Sequence, residues 1–185
     1  MQALERLRDC MVNQPIEFEQ YQAGSLHEAG HAAIAIVLER KLVEISILRD
    51  QDGDGYVTRE RREDSHQEVL EEIAIASAGV EAPYLWGVWV TNGEHDSRRV
   101  EELLMKCPQL RNIDWDEFYS CLKKALAELR DSIGALAHEL STRKMISGKD
   151  AEEIVRSTQP QPVRLSQCLA SRVECLSLQT KSITT

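Results

Sequence analysis

The chain has few aromatic residues, 5% of 185, and lacks the features of several protein classes. The formal net charge is −9 and no stripe of Lys and Arg interrupts the acidic balance, which argues against nucleic-acid binding. The longest apolar run, Ala29 to Leu38, has ten residues including one histidine and is too short to cross a bilayer. The first twelve residues mix both charge signs and lack the apolar core of a signal peptide. We therefore expect a soluble cytoplasmic protein with no membrane span.

Paired cysteine motifs are also missing. The five cysteines are odd in number, irregularly spaced and contain no CxxC. Disulfide frameworks and zinc knuckles usually show an even count or paired spacing. We therefore predict a reducing compartment and free thiols that serve as small core residues at Cys10, Cys107, Cys121, Cys168 and Cys175.

Common Ala, Leu, Glu and Arg favour a mainly helical fold. Residues 42–60 carry β-branched side chains on both sides of a Gly/Asp cluster, which predicts a hairpin. We expect a mainly α domain at 1–157, with a small β-hairpin or sheet next to one helix and a C-terminal helical bundle. A loosely ordered tail at 158–185 would follow. Periodicity and capping signals predict helices at about 2–12, 25–40, 65–79, 96–107, 114–140 and 147–156.

Two histidines and a glutamate begin the apolar helix in "SLHEAGHAAIAIVL", Ser25 to Leu38. A buried imidazole or carboxylate is costly unless something pairs with it. His27 and His31 are four residues apart, so a helix places both rings on one face within reach of one ion. Glu28 points to the edge of that site, where it can contact a water without binding the ion. This HExxH pattern predicts a zinc peptidase with two His ligands and a Glu base, although Glu28 also fits a capping box with Ser25.

A catalytic zinc ion needs a third protein ligand, and its fourth position stays open for water. No histidine follows HExxH at the GxxH spacing. "NGEHD" places His95 and Asp96 side by side before a predicted helix. Spacing alone does not choose between these two and the glutamates of the second helix, Glu68, Glu71 and Glu72.

The segment "LHEAGHAAIAIVL" resembles the zinc helix of FtsH-type AAA proteases. Further likenesses follow in the same order as in that family and extend over residues 15–157. "VTNGEHDSRRVEELL" is similar to the family's TTGA-x-x-D-L-x-x-A-T segment, whose aspartate is the third zinc ligand. The resemblance thus implies a peptidase fold, a bound Zn²⁺ and Asp96 as the third ligand beside His27 and His31.

Three departures qualify this resemblance. The stretch Gly93 to Asp96 is one residue shorter than the family pattern, which leaves His95 as a competing ligand. "VEAPY" replaces the usual Arg/Ala/Glu run, and no GxxxxGKS/T motif marks an ATPase module. We therefore expect a free-standing, ATP-independent zinc metalloendopeptidase that cleaves peptides or unfolded protein segments, with homo-oligomerisation as one means of restraint. The alternative is a regulatory or adaptor module that keeps this fold without proteolysis.

Overall fold

The computed structural model describes residues 23–48, 55–89, 93–158 and 164–171. In this part the chain is mainly helical with a small antiparallel sheet, as predicted. The predicted helix at 2–12 lies outside the described residues. The helices are α1 (Ala23–Val37), α2 (His66–Glu81), α3 (Glu94–Lys106), α4 (Trp115–Glu128), α5 (Arg130–Arg143), α6 (Gly148–Thr158) and α7 (165–171), with 3-10 turns at Ala82–Trp86 and Pro108–Asn112. The strands are β1 (Leu42–Ser46), β2 (Tyr56–Arg59) and β3 (Met145–Ser147).

The predicted hairpin is confirmed. Strand β1 pairs with β2 in antiparallel register, with Ile45 opposite Val57. On its other side β1 pairs antiparallel with β3, which follows α5 in the chain. The order β2-β1-β3 leaves β2 at an edge of the sheet. Strand β3 has only three residues, too few to show an alternating pattern in the sequence.

Helix α1 forms the centre of the domain and packs against α2 and α5. Every residue from Glu28 to Ala35 is buried, which agrees with the apolar run in the sequence. None of the helices in the described ranges is long and apolar enough to span a membrane. Because this part of α1 is buried on all sides, the polar side chains of Glu28 and His31 need partners inside the protein.

Helix α2 begins with Ser65 as its N-cap. The Ser65 hydroxyl accepts from the Glu68 backbone N–H at 3.2 Å, and the Glu68 carboxylate accepts from the Asp64 N–H at 3.1 Å. The predicted end at Gly79 is wrong, because the helix continues to Glu81. Gly79 is therefore an interior residue of α2.

The long helix predicted after Asp114 is two helices, α4 and α5, separated at Leu129. Leu129 is itself fully buried and continues the apolar stripe from Phe118 to Leu140. Because the stripe runs unbroken through the junction, the periodicity of the sequence contains no sign of the break.

Part of the predicted tail packs on the domain. Leu165 and Leu169 of α7 are buried, at 2% and 0% exposure. Cys168 of α7 forms a disulfide with Cys121 of α4, so the prediction of free thiols is wrong for this pair. These two cysteines are 47 residues apart and only the tertiary fold brings them together. Cys107 is free and buried as predicted, whereas Cys10 and Cys175 lie outside the described residues.

Candidate metal centre

His27, His31 and Asp96 each direct one ligand atom to a common point, and together they could hold a metal ion. The two Nε2 atoms are 3.1 Å apart. Asp96 Oδ2 lies 3.0 Å from Nε2 of His27 and 3.3 Å from Nε2 of His31. In a tetrahedral site with bonds of about 2.0–2.1 Å, ligand atoms lie about 3.3–3.4 Å apart. The three separations in the structure are close to that value, so the residues fit a small tetrahedral cation.

The two histidines lie one turn apart on α1, with their rings perpendicular at 88° and their centroids 4.6 Å apart. His31 is held from behind, because its Nδ1 donates to the carbonyl oxygen of Ile75 in α2 at 2.7 Å. This bond directs Nε2 towards Asp96, as the outer hydrogen bond of a metal-binding histidine usually does. Nδ1 of His27 is buried and has no hydrogen-bond partner among the described residues.

Asp96 reaches the site from the first turn of α3. The helix begins at Glu94, and its N-cap position is Gly93, which offers no side-chain cap. Asp96 does not cap this helix, because the helix begins two residues before it. A carboxylate in the first turn also interacts favourably with the helix dipole. Asp96 is thus free to direct its Oδ2 at the two imidazoles.

Charge in this site depends on the contact between His31 and Asp96. Burial disfavours the charged form of His31, but the Asp96 carboxylate and, more weakly, Glu28 outweigh it and raise the pKa of His31 to about 9. Burial also acts against the ionised form of Asp96, yet the two histidines hold the pKa of its carboxyl well below its usual value. The site therefore favours a positive charge between Asp96 and the rings, which a cation can supply in place of a proton.

Glu28 lies beside the ligand group and does not belong to it. Glu28 is 5% exposed, and the negative charge of its carboxylate contributes to the raised pKa of His31. A Cβ on Gly55, the residue before β2, would lie 2.7 Å from the Ser46 backbone oxygen and 2.9 Å from Glu28 Oε1. A glycine at this position therefore gives the Glu28 carboxylate room beside the sheet.

The competing candidates for the third ligand lie elsewhere. His95 is exposed on α3 and is not part of the ligand group. Glu68 is engaged in the cap of α2. Both were compatible with the spacing in the sequence, and only the orientation of α3 and α2 distinguishes them from Asp96.

Glu71 and Glu72 belong to a buried network of charges that the sequence did not reveal. Nη2 of Arg40 lies 2.7 Å from Glu71 Oε2, and Nη2 of Arg59 lies 2.8 Å from Glu72 Oε2. The Arg40 and Glu72 side chains are only 2% and 1% exposed. Opposite charges in equal number make this burial tolerable. The network connects Arg40, in the segment between α1 and β1, and the edge strand β2 to α2, and it supplies no ligand to the candidate metal centre.

No protein-family model and no curated protein matches this chain. The likeness to FtsH-type peptidases therefore depends on the quoted motifs alone.

Proposed function

We propose that this chain is a zinc metalloendopeptidase that hydrolyses peptide bonds in peptides or unfolded protein segments without ATP. The observation that carries the proposal is the convergence of His27, His31 and Asp96 at separations of 3.0–3.3 Å, with Glu28 beside them. The resemblance of the HEAGH segment to the zinc helix of FtsH-type proteases supports the same assignment.

Two imidazoles and one carboxylate are a common ligand set of catalytic zinc. The same set also suits iron(II) in oxygenases, so the ligand atoms alone do not identify the metal. Glu28 favours hydrolysis, because a carboxylate next to the ligands can serve as a base for water. We therefore assign zinc to the site and a base role to Glu28.

When bound, zinc would polarise the substrate carbonyl and make the attacking water more acidic. Glu28 accepts a proton from that water as its oxygen attacks the carbonyl carbon. Glu28 then delivers the proton to the amide nitrogen, so the C–N bond breaks and one water is consumed. The bond from His31 Nδ1 to Ile75 keeps the imidazole in place through these steps.

The sheet offers a place for an extended substrate. Among the described residues, strand β1 is paired on both sides, and β2 and β3 each have one edge without a partner strand. Strand β2 begins directly after Gly55, which lies against Glu28. An unfolded segment that pairs with the edge of β2 would pass beside the base. This arrangement favours extended chains as substrates and disfavours folded proteins.

The location of the protein remains a proposal from composition. The acidic composition of the chain is compatible with the cytoplasm. The disulfide between Cys121 and Cys168 argues against it, since disulfides persist mainly in oxidising compartments.

The alternative is a module that binds metal and regulates or adapts another protein without cleaving it. One observation favours this alternative: His31 and Glu28 are 9% and 5% exposed, which leaves a substrate little access. The two functions differ in whether the zinc-loaded wild-type protein has any turnover.

The decisive experiment compares zinc content and cleavage of an unfolded protein for wild type and Glu28→Gln. We expect one zinc per chain in both and cleavage only by wild type. Glu101→Gln, an exposed position of α3, is the matched control and should behave as wild type. A zinc-loaded wild type without turnover on any unfolded chain would favour the adaptor, and cleavage by Glu28→Gln at the wild-type rate would exclude the base role.

A further inference from the structure

Gly79 is an interior residue of α2 with no positive φ, so the backbone at this position does not require glycine. Glycine in a helix interior destabilises the helix relative to alanine. A reason for glycine must therefore come from packing.

The packing partner is the ring of His31. A Cβ on Gly79 would lie under 3.0 Å from Nε2, Cε1 and Cδ2 of His31, closer than real Cβ atoms approach other atoms. Ile75, one turn earlier on the same face of α2, accepts the hydrogen bond from Nδ1 of the same ring. Helix α2 thus positions the imidazole in two ways. The Ile75 carbonyl binds one edge of the ring, and the absence of a side chain at Gly79 leaves space for the rest of it.

We propose that Gly79 is a positioning residue for the metal centre, an inference that rests on the proposed function. A methyl group at position 79 turns the His31 ring away, because the ring is the mobile end of its side chain. The turned ring loses the bond to Ile75, and its Nε2 leaves His27 and Asp96. Alanine at position 79 therefore spares the fold and damages the metal site.

Two other glycines provide controls. A Cβ on Gly30 of α1 would lie 2.6 Å from the backbone oxygen of Ala78, which cannot turn aside, so Gly30→Ala damages the helix packing itself. A Cβ on Gly134 in α5 has Trp86 Cζ2 as its nearest neighbour at 3.5 Å, an ordinary contact. Gly134→Ala is therefore the matched helix-interior control that should change neither fold nor metal binding.

The test measures zinc affinity by competition with a chromophoric chelator, and thermal unfolding in EDTA. Gly79→Ala should bind zinc about 100-fold more weakly than wild type, a loss typical of disturbed support around a ligand. Its unfolding temperature in EDTA should stay within about 5 °C of wild type. Gly134→Ala should match wild type in both, and Gly30→Ala should unfold at a clearly lower temperature. Wild-type affinity in Gly79→Ala would overturn the inference.

A second pair of variants keeps the inference testable if Gly79→Ala is too unstable to purify. In a His31→Ala background the three nearest neighbours of the new methyl are gone. Adding Gly79→Ala there should leave the unfolding temperature unchanged or raise it. A lower unfolding temperature in that background would show that glycine at position 79 is needed for the fold itself and not for the placement of His31. If wild type binds no zinc, the proposed function fails; if only the Gly79 prediction fails, the metal site stands.

Discussion

His31 of α1 donates its Nδ1 hydrogen to the carbonyl oxygen of Ile75 in α2 over 2.7 Å. A backbone carbonyl only accepts, so this bond fixes which nitrogen carries the proton when the ring is neutral. The other nitrogen, Nε2, lies 3.3 Å from Oδ2 of Asp96 in α3. One side chain therefore connects three helices, and the candidate metal centre depends on how they pack.

Asp96→Asn should lose zinc. An amide is a much weaker ligand than a carboxylate, and it removes the negative charge that faces both histidines. We expect zinc affinity to fall by at least about 100-fold, measured by chelator competition. His95→Asn is the neighbouring control and should keep wild-type affinity, because His95 is exposed outside the ligand group. The reverse pattern would make His95 the ligand.

Zinc affinity should rise with pH. The pKa of His31 is raised to about 9, so below that pH a bound proton must leave before the imidazole can bind a cation. Apparent affinity should increase by about tenfold per pH unit between about pH 6.5 and 8.5. In Asp96→Asn the carboxylate that raises this pKa is gone, so the remaining dependence should shift to lower pH. Calorimetry in buffers of different ionisation enthalpy measures the released proton, and release of none would contradict the prediction.

Glu72→Ala should destabilise the fold more than an ordinary surface change. It leaves Arg59 without its buried carboxylate partner and removes one of the two carboxylates beside Arg40, which keeps its contact with Glu71. Removal of one member of a buried ion pair costs about 3–5 kcal/mol. Urea unfolding in EDTA measures the loss without the contribution of metal. Glu139→Ala removes a half-buried partner of Arg143, which keeps its contact with Asp150, and should cost less than about 1 kcal/mol. Equal losses in the free energy of unfolding would mean that the buried network stabilises the fold no more than a surface ion pair does.

The disulfide between Cys121 and Cys168 should stabilise the domain, because it closes a loop across 47 residues. A disulfide that closes a loop of this size raises the free energy of unfolding by about 2–4 kcal/mol. A dithiol reductant should therefore lower the unfolding temperature of wild type and leave that of Cys168→Ser unchanged. Thiol titration of the unreduced, denatured protein checks the bond itself. Five free thiols would restore the expectation from the sequence.

Local features were predictable and distant contacts were not. The spacing of His27 and His31 places both rings on one helix face whatever the rest of the fold, because helix geometry alone sets it. Asp96 belongs to a helix far along the chain, and its approach depends on how α3 packs against α2. Sequence spacing therefore does not distinguish Asp96 from His95 as the third ligand.

Other errors have the same origin in packing. Gly79 looked like a helix end, since glycine commonly ends helices, but its missing side chain makes room for the His31 ring. The break at Leu129 is hidden because that residue is as buried as its neighbours. The carbonyl of Ile75 is a backbone group, and no side-chain pattern can reveal it as a partner of His31.

X-ray absorption at the zinc edge, on protein loaded with one equivalent of zinc, tests the central claim most directly. The account predicts nitrogen and oxygen neighbours at about 2.0–2.1 Å, with two imidazoles in the outer-shell signal and their loss in His27→Ala and His31→Ala. Sulfur neighbours at about 2.3 Å, or protein that stays free of zinc in excess metal, would contradict it.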